Sequence, residues 1–142
     1  MYRAIYFGMM LILLSSIACA DVVNNEKDAR KLCDSIMSSV SKGDLKGAFN
    51  KMKPHVPITE TEVDSGYLQS KTQRDQFKER YGPTTSYEYI DSKSIGASLL
   101  RLRYIEKTKK HAFPWSFYFY KQTDKWTINA FFWNDRINEL FQ

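Results

Sequence analysis

The chain is poor in cysteine, with only Cys19 and Cys33 among 142 residues. Cys19 falls in an N-terminal segment with the features of an export signal, so Cys33 alone remains in the predicted domain. A lone thiol cannot form an internal disulfide, and the domain must therefore be stabilised by its hydrophobic core. Cys33 lies on the apolar face of a predicted helix, which indicates a small buried hydrophobe rather than a reactive thiol.

Sequence motifs for chemistry are also lacking. No Cys/His spacing suits a metal, no motif marks a nucleophile, and no glycine-rich loop suits a phosphate. We therefore predict no metal and no cofactor, and we assign no catalytic residue. No internal repeat or low-complexity tract interrupts the chain, and its length and 43% hydrophobic content are ordinary for one globular domain.

The only long apolar run lies at the N-terminus. Arg3 precedes a stretch from Ile5 to Ile17, and Ala18-Cys19-Ala20 has the small residues of a signal-peptidase site. The apolar core of about a dozen residues is shorter than the roughly 20 that a spanning helix needs, so we predict no transmembrane span. Residues 1–20 are predicted to be a signal peptide and residues 21–142 a single exported domain, periplasmic or secreted.

A second interpretation of this segment stays open. Ser16-Ile17-Ala18-Cys19 resembles a bacterial lipoprotein box, although Ser16 replaces the usual Leu. In that case Cys19 would carry a lipid anchor at the mature N-terminus, and the protein would be tethered to a membrane.

Positive charge is in modest excess, with a formal net charge of +5 that falls by one when Arg3 is removed. The basic residues are spread along the chain except for a cluster over residues 107–111. Such a cluster is usually a solvated loop, and its functional interpretation is contact with an anionic surface or an acidic partner. Export argues against nucleic acid as a partner.

Helices are predicted in the first half of the chain. After Asn25, which can cap a helix, apolar residues recur at the spacing of one helix face as far as Gly43. These residues are Ala29, Leu32, Cys33, Ile36, Met37 and Val40. Asp44 is predicted to cap a second, short helix that stops at Pro54, and residues 55–58 are predicted to form a short edge strand.

A third helix is predicted from Thr59 or Thr61 to about Tyr81, where Gly82-Pro83 ends it. Ser65-Gly66 is a predicted break within it. Its apolar positions are sparser than those of the first helix: Val63, Tyr67, Leu68, Phe77 and Tyr81.

The run from Ser86 to Trp133 predicts four antiparallel strands joined by tight turns. In the second strand, alternation places Leu100, Leu102 and Tyr104 on one face and Leu99, Arg101, Arg103 and Ile105 on the other. The charged segment from Glu106 to His111 is predicted to be a connection. In the fourth strand the parity of the aromatic residues shifts, which predicts a bulge near Asn129-Ala130.

Helices followed by an antiparallel meander predict an α+β fold, with N-terminal helices packed on a curved four-stranded sheet. The order of four short segments along the chain resembles the NTF2-like superfamily. These segments are Ser41-Lys42-Gly43-Asp44-Leu45, Gly47-Ala48-Phe49, Trp126-Thr127-Ile128 and Phe131-Phe132-Trp133. The resemblance is to its small exported bacterial members. It implies a cone-shaped cavity between helices and sheet, used in some members as a ligand pocket or active site, and dimerisation through the outer sheet face.

Six residues are candidates for lining a ligand pocket: Arg101, Arg103, Trp115, Tyr118, Asn129 and Trp133. Arg101 and Arg103 share one face of an inner strand, where they would bind an anion if that face is the cavity. On the outer face they would be solvated or paired with Glu88 or Glu106. The large aromatic residues are most simply core, with ligand stacking by Trp115 or Trp133 as the alternative.

Three hypotheses for function follow. The leading one is an exported, non-catalytic domain that binds a small molecule or a protein partner and forms a homodimer. The second is an isomerase or cyclase-like enzyme, which requires Asp91 or another carboxylate to face an enclosed cavity for proton transfer. The third is a secreted effector or envelope structural factor whose contact is the loop from Lys107 to His111.

Overall fold

The computed structural model describes residues 21–142, so the predicted signal peptide and Cys19 lie outside the described residues. Three helices precede a four-stranded antiparallel sheet in the order β1-β2-β3-β4. The bounds are α1 Glu26–Ser41, α2 Leu45–Met52, α3 Glu60–Tyr81, β1 Thr84–Ile95, β2 Leu99–Thr108, β3 Ala112–Gln122 and β4 Lys125–Trp133. Two 3-10 helices, Lys53–His55 and Ile137–Phe141, complete the chain. The predicted α+β fold is confirmed.

The helix ends follow from their capping residues. Asn25 accepts a hydrogen bond from the backbone N–H of Asp28 at 2.9 Å and caps α1. Asp44 accepts one from the N–H of Gly47 at 2.8 Å and caps α2. Thr59 and Glu62 form a reciprocal capping box at the start of α3. All three start positions agree with the sequence prediction.

Two local predictions are wrong. Residues 55–58 form no strand. Lys53–His55 is instead a 3-10 turn that contains Pro54, whose fixed φ suits the first turn of a helix. The helix α3 also continues through Ser65-Gly66 without a break. There the Ser65 hydroxyl donates to the carbonyl of Thr61 at 3.0 Å, and the glycine lies close to the ring of Phe49.

The core lies between the helices and one face of the sheet, which we call the inner face. It is a single cluster to which all three helices and the strands β2, β3 and β4 contribute, α3 through Val63. Its largest fully buried side chains include Phe49, Tyr104, Trp115, Phe117 and Phe119. The hydroxyl of Tyr104 donates to Asp34 on α1 at 2.8 Å, which ties the first helix to β2.

Three irregularities bend the sheet, because an extra residue in one strand increases its local twist. Two are in β1, between Thr84 and Ser86 and between Tyr89 and Asp91. The third is in β4, where Ile128 pairs with Phe119 but Ala130 pairs with Tyr118, leaving Asn129 as the extra residue. The predicted bulge is thus confirmed, and it allows Ile128, Phe131 and Trp133 all to face inward.

The N-terminal segment of the described chain packs on the end of the sheet. Val23 is 3% exposed, and its carbonyl accepts a hydrogen bond from the backbone N–H of Trp126 at 2.9 Å. Within residues 21–142, no helix combines the length and apolar character needed to cross a bilayer.

Candidate functional site

A cleft of about 440 Å³ opens where the α1–α2 junction, α3 and the ends of β1 and β2 meet. Its lining includes Lys42 and Lys46 from the junction, and Tyr67, Lys71, Arg74, Phe77 and Lys78 from α3. Thr84, Glu106 and Phe113 of the sheet lie at its inner end. The volume is within the range of about 300–1,000 Å³ typical of small-molecule pockets.

Glu106 is the central polar group of this site. It is 0% exposed, because it continues the inward alternation of Leu100, Leu102 and Tyr104 along β2. The sequence-based prediction of a connection from Glu106 to His111 is therefore wrong at its start, since β2 extends to Thr108. Because Glu106 was assigned to a loop, its burial in the core was not predicted.

Four hydrogen bonds satisfy the Glu106 carboxylate. Arg74 binds it with both terminal nitrogens, one of them at 2.7 Å, and the hydroxyl of Thr84 donates to it as well. The indole N–H of Trp115 donates to it at 2.9 Å. A carboxylate has about four acceptor sites, so none is left for a substrate. This geometry is that of a structural ion pair rather than a general base.

Arg74 is fixed by aromatic rings on its other side. Its guanidinium lies 5.2 Å from the ring centroid of Trp133 and 5.9 Å from that of Trp115, within the range of cation–π attraction. The two indoles stack on each other with centroids 6.0 Å apart, and the N–H of Trp133 donates to Ser70 at 3.1 Å. The polar centre is therefore rigidly positioned by α3 and the sheet.

The six predicted pocket residues do not lie together. Trp115 and Trp133 lie on the inner face beside Arg74, whereas Arg101, Arg103 and Tyr118 lie on the opposite, outer face. Asn129 is exposed at the bulge. None of the six lines the cleft, and the prediction of these residues as a pocket is wrong. The two tryptophans lie behind its inner end, where they contact Arg74 and Glu106.

Arg103 and Arg101 have a different partner from the two that the sequence suggested. Asp91, opposite Arg103 in the β1–β2 ladder, binds its guanidinium with both oxygens, and Arg101 lies 3.7 Å from the same carboxylate. Hydrogen bonding from Arg103, aided by the charges of both arginines, holds the pKa of Asp91 below its ordinary value of 3.8. Glu88 instead pairs with Lys107.

Asp91, the carboxylate named for the enzyme hypothesis, thus lies on the outer face and is engaged by arginine. Besides Glu106, two acids line the cleft, and both already have a partner. Asp44 caps α2, and Asp75 pairs with Lys71 at 2.6 Å. Among residues 21–142, no group of three His, Cys, Asp or Glu side chains is arranged to hold a metal ion.

The basic loop is tied to the fold at one end. His111 stacks on Tyr81 with centroids 4.4 Å apart, and its Nε2 lies 2.9 Å from the carbonyl oxygen of Asp135. Lys109 and Lys110 are exposed. These contacts account for His111 as a structural residue and leave the two lysines as the solvated part of the loop.

The signal for the Arg74–Glu106 pair was present in the sequence. Val63, Tyr67, Phe77 and Tyr81 are spaced as one face of α3, and the positions that complete this face are Ser70 and Arg74. Leu68, which the prediction placed inward, is instead 60% exposed. Arg74 at an inward position of α3 and Glu106 at an inward position of β2 are of opposite charge, a combination that indicates an ion pair between the two elements.

Comparison of the chain with protein-family models and with curated proteins gives no match. Among solved structures, it is similar to a DUF4783 family protein from Bacteroides uniformis, with a TM-score of 0.44 and 9% identity over 72% of this chain and 95% of that one. It is also similar to Bd1075 from Bdellovibrio bacteriovorus, with a TM-score of 0.45 and 13% identity over 78% of this chain. The match spans 40% of the Bdellovibrio chain.

Proposed function

We propose that this protein is an exported, non-catalytic NTF2-like domain that binds a small molecule in the cleft between α3 and the α1–α2 junction. The observation that carries the proposal is the combination of an open cleft with a carboxylate whose acceptor sites are all occupied. A site of this kind has room for a ligand, while the buried carboxylate of Glu106 is held by Arg74, Thr84 and Trp115.

The enzyme hypothesis is less well supported by the same geometry. Proton transfer needs a base within hydrogen-bond reach of the substrate. Glu106 would first have to exchange Arg74 for the substrate, at the cost of leaving a guanidinium without its partner. Binding without chemistry requires no such rearrangement.

Native mass spectrometry of the mature protein, purified from its own host, tests the proposal. We expect a small-molecule adduct that is lost on denaturation. Lys71→Trp places an indole in the cleft and removes only an exposed i,i+4 ion pair, so the fold should survive while the adduct disappears. Lys93→Trp, on the outer face of β1, is the matched control and should keep the adduct.

The same spectra separate the alternatives. An adduct of protein size that survives Lys71→Trp would favour a protein partner over a small molecule. Turnover of a retained compound, abolished by Glu106→Gln, would favour the enzyme. Absence of any adduct from the protein isolated from its host would contradict the proposal.

A further inference from the structure

The acidic side chains around the cleft have partners within the protein, whereas several of its lysines form no salt bridge within residues 21–142. Each of its three acids already has a partner: Glu106 has Arg74, Asp75 has Lys71, and Asp44 has the backbone of Gly47. Lys42, Lys46 and Lys78 also line the cleft. Within residues 21–142 these three ammonium groups form no salt bridge. The N–H of Gly47 is neutral, so Asp44 keeps its negative charge between Lys42 and Lys46. The five basic and three acidic side chains that line the cleft leave it with a net charge of +2, which favours an anionic ligand.

The three lysines approach the cleft from two sides. Lys42 and Lys46 flank Gly43 and Asp44 at the α1–α2 junction, and Lys78 lies near the end of α3. Like charges that approach one cleft from separate elements raise its local potential, and they attract an anion more strongly than a single exposed lysine does.

The inner wall of the cleft is aromatic. Phe77 and Phe113 lie 5.4 Å apart between ring centroids, and Tyr67 lies on the same side of α3 as Phe77. Phe113 is 3% exposed and supports Phe77 from the core, so the apolar area that faces the cleft comes from the half-buried Tyr67 and Phe77. Such a wall suits a flat apolar group, which gains from the area it removes from water.

We infer that the ligand of this cleft is an amphipathic anion: a molecule with one carboxylate, sulfonate or phosphate group and an apolar, ring-containing body. The anionic group would lie at the rim among Lys42, Lys46 and Lys78, with the body against Tyr67 and Phe77. The inference rests on the proposed function, since it names the chemical class of the molecule bound at the same site.

Two fluorescent probes that share a ring system test the charge requirement. 8-Anilinonaphthalene-1-sulfonate is an apolar anion, and N-phenyl-1-naphthylamine has the same rings without the sulfonate. We expect the mature protein to bind both, and the sulfonate more tightly. Reversing three charges near one anion should weaken sulfonate binding by about tenfold or more in Lys42→Glu/Lys46→Glu/Lys78→Glu. Binding of the neutral probe should change by less than about twofold, since no ring contact is altered.

The matched control is Lys27→Glu/Lys93→Glu/Lys125→Glu, which makes the same change in net charge at three exposed positions outside the cleft. It should leave sulfonate binding almost unchanged. Equal weakening by both triple variants would show that only net charge matters and would overturn the inference. So would a sulfonate affinity that the cleft variant does not alter.

The probe measurements distinguish failure of the anion inference from failure of the proposed binding function. Neutral and anionic probes that bind equally well, in a manner blocked by Lys71→Trp, would overturn the anion inference and leave the proposed binding function standing. If neither probe binds but the native spectra show a small-molecule adduct, the inference fails and the proposed function stands. If the spectra also show no adduct, both fail.

Discussion

Arg74 of α3 and Glu106 of β2 form a two-point ion pair on the inner side of the sheet, 32 positions apart in the chain. The Glu106 side chain is fully buried and that of Arg74 is 17% exposed. Since α1 and α2 cover much of the rest of the inner face, this pair is the main polar link between the long, mostly exposed α3 and the sheet.

Removing one member of the pair should be far more damaging than removing both. We expect Arg74→Met to lower the free energy of unfolding by about 3–5 kcal/mol, because it leaves a buried carboxylate without its cation. The double variant Arg74→Met/Glu106→Gln should regain a large part of that loss, since no buried charge remains. Urea unfolding of the wild type, both single variants and the double variant measures the coupling.

Arg80→Met is the control for the same chemical change on α3. Arg80 is exposed and lies over the ring of Tyr81 rather than in an ion pair. It should change the free energy of unfolding by about 0.5 kcal/mol or less. Additive losses in the Arg74 and Glu106 variants would contradict the description of this pair as a coupled unit.

Much of the fold could be predicted because it depends on local patterns. The amphipathic spacing of α1, the caps at Asn25 and Asp44, and the shift of parity around Asn129 each encode their structure within a few residues. The alternation of β2 also predicted which of its residues share a face, although not which of the two faces is the inner one. These features need no knowledge of what lies across the core.

The candidate site could not be predicted in the same way, because it depends on two exceptions that compensate each other. Arg74 is a polar residue on the inward face of α3, and Glu106 is a charged residue in an inward position of β2. Each alone indicates an element boundary or an exposed face, and the sequence of Glu106 to His111 indeed suggested a loop. Only their proximity in three dimensions makes both burials favourable.

Asp91 and Arg103 should make stability depend on pH in the acid range. Hydrogen bonding from Arg103 lowers the pKa of Asp91 in the folded protein, so the folded state binds fewer protons than the unfolded state. The stabilisation is present above the unfolded pKa of about 4 and is lost as the pH falls through the lower folded value. Asp91→Asn should therefore lower the urea midpoint at pH 7, and the difference from wild type should shrink towards pH 3.

Asp124→Asn provides the comparison for this effect. Asp124 is exposed in the β3–β4 turn and is not among the salt-bridged acids of residues 21–142. Its urea midpoint should follow that of the wild type across the same pH range. A difference between Asp91→Asn and wild type that stays constant with pH would show that the ion pair does not titrate as expected.

Processing of the N-terminus can be predicted to the residue. Cleavage after Ala20 leaves Asp21 as the first residue and preserves the packing of Val23 and its hydrogen bond from Trp126. We expect the intact mass of the exported protein to correspond to residues 21–142. A mature protein that begins with a lipid-modified Cys19 would support the alternative, and Cys19→Ser would then release it from the membrane.

The outer face of the sheet is the surface where we predict a homodimer contact. Tyr118, Tyr120 and Phe132 are 39%, 43% and 61% exposed, and the rings of Tyr118 and Phe132 meet edge to face at 5.9 Å. Aromatic side chains that are exposed side by side are typical of an interface, because pairing removes their apolar area from water. We expect light scattering to show a dimer for the mature protein and a monomer for Phe132→Asp, since a carboxylate cannot be buried in that surface without a partner.

Leu68→Asp distinguishes the sheet face from general surface hydrophobicity. Leu68 is 60% exposed on α3, almost the same fraction as Phe132, but it lies on a different element. It should leave the dimer intact. Dissociation by Leu68→Asp and not by Phe132→Asp would show that the interface lies on α3 and not on the sheet. A monomeric wild-type protein would contradict the dimer and would leave the outer face free for a different protein.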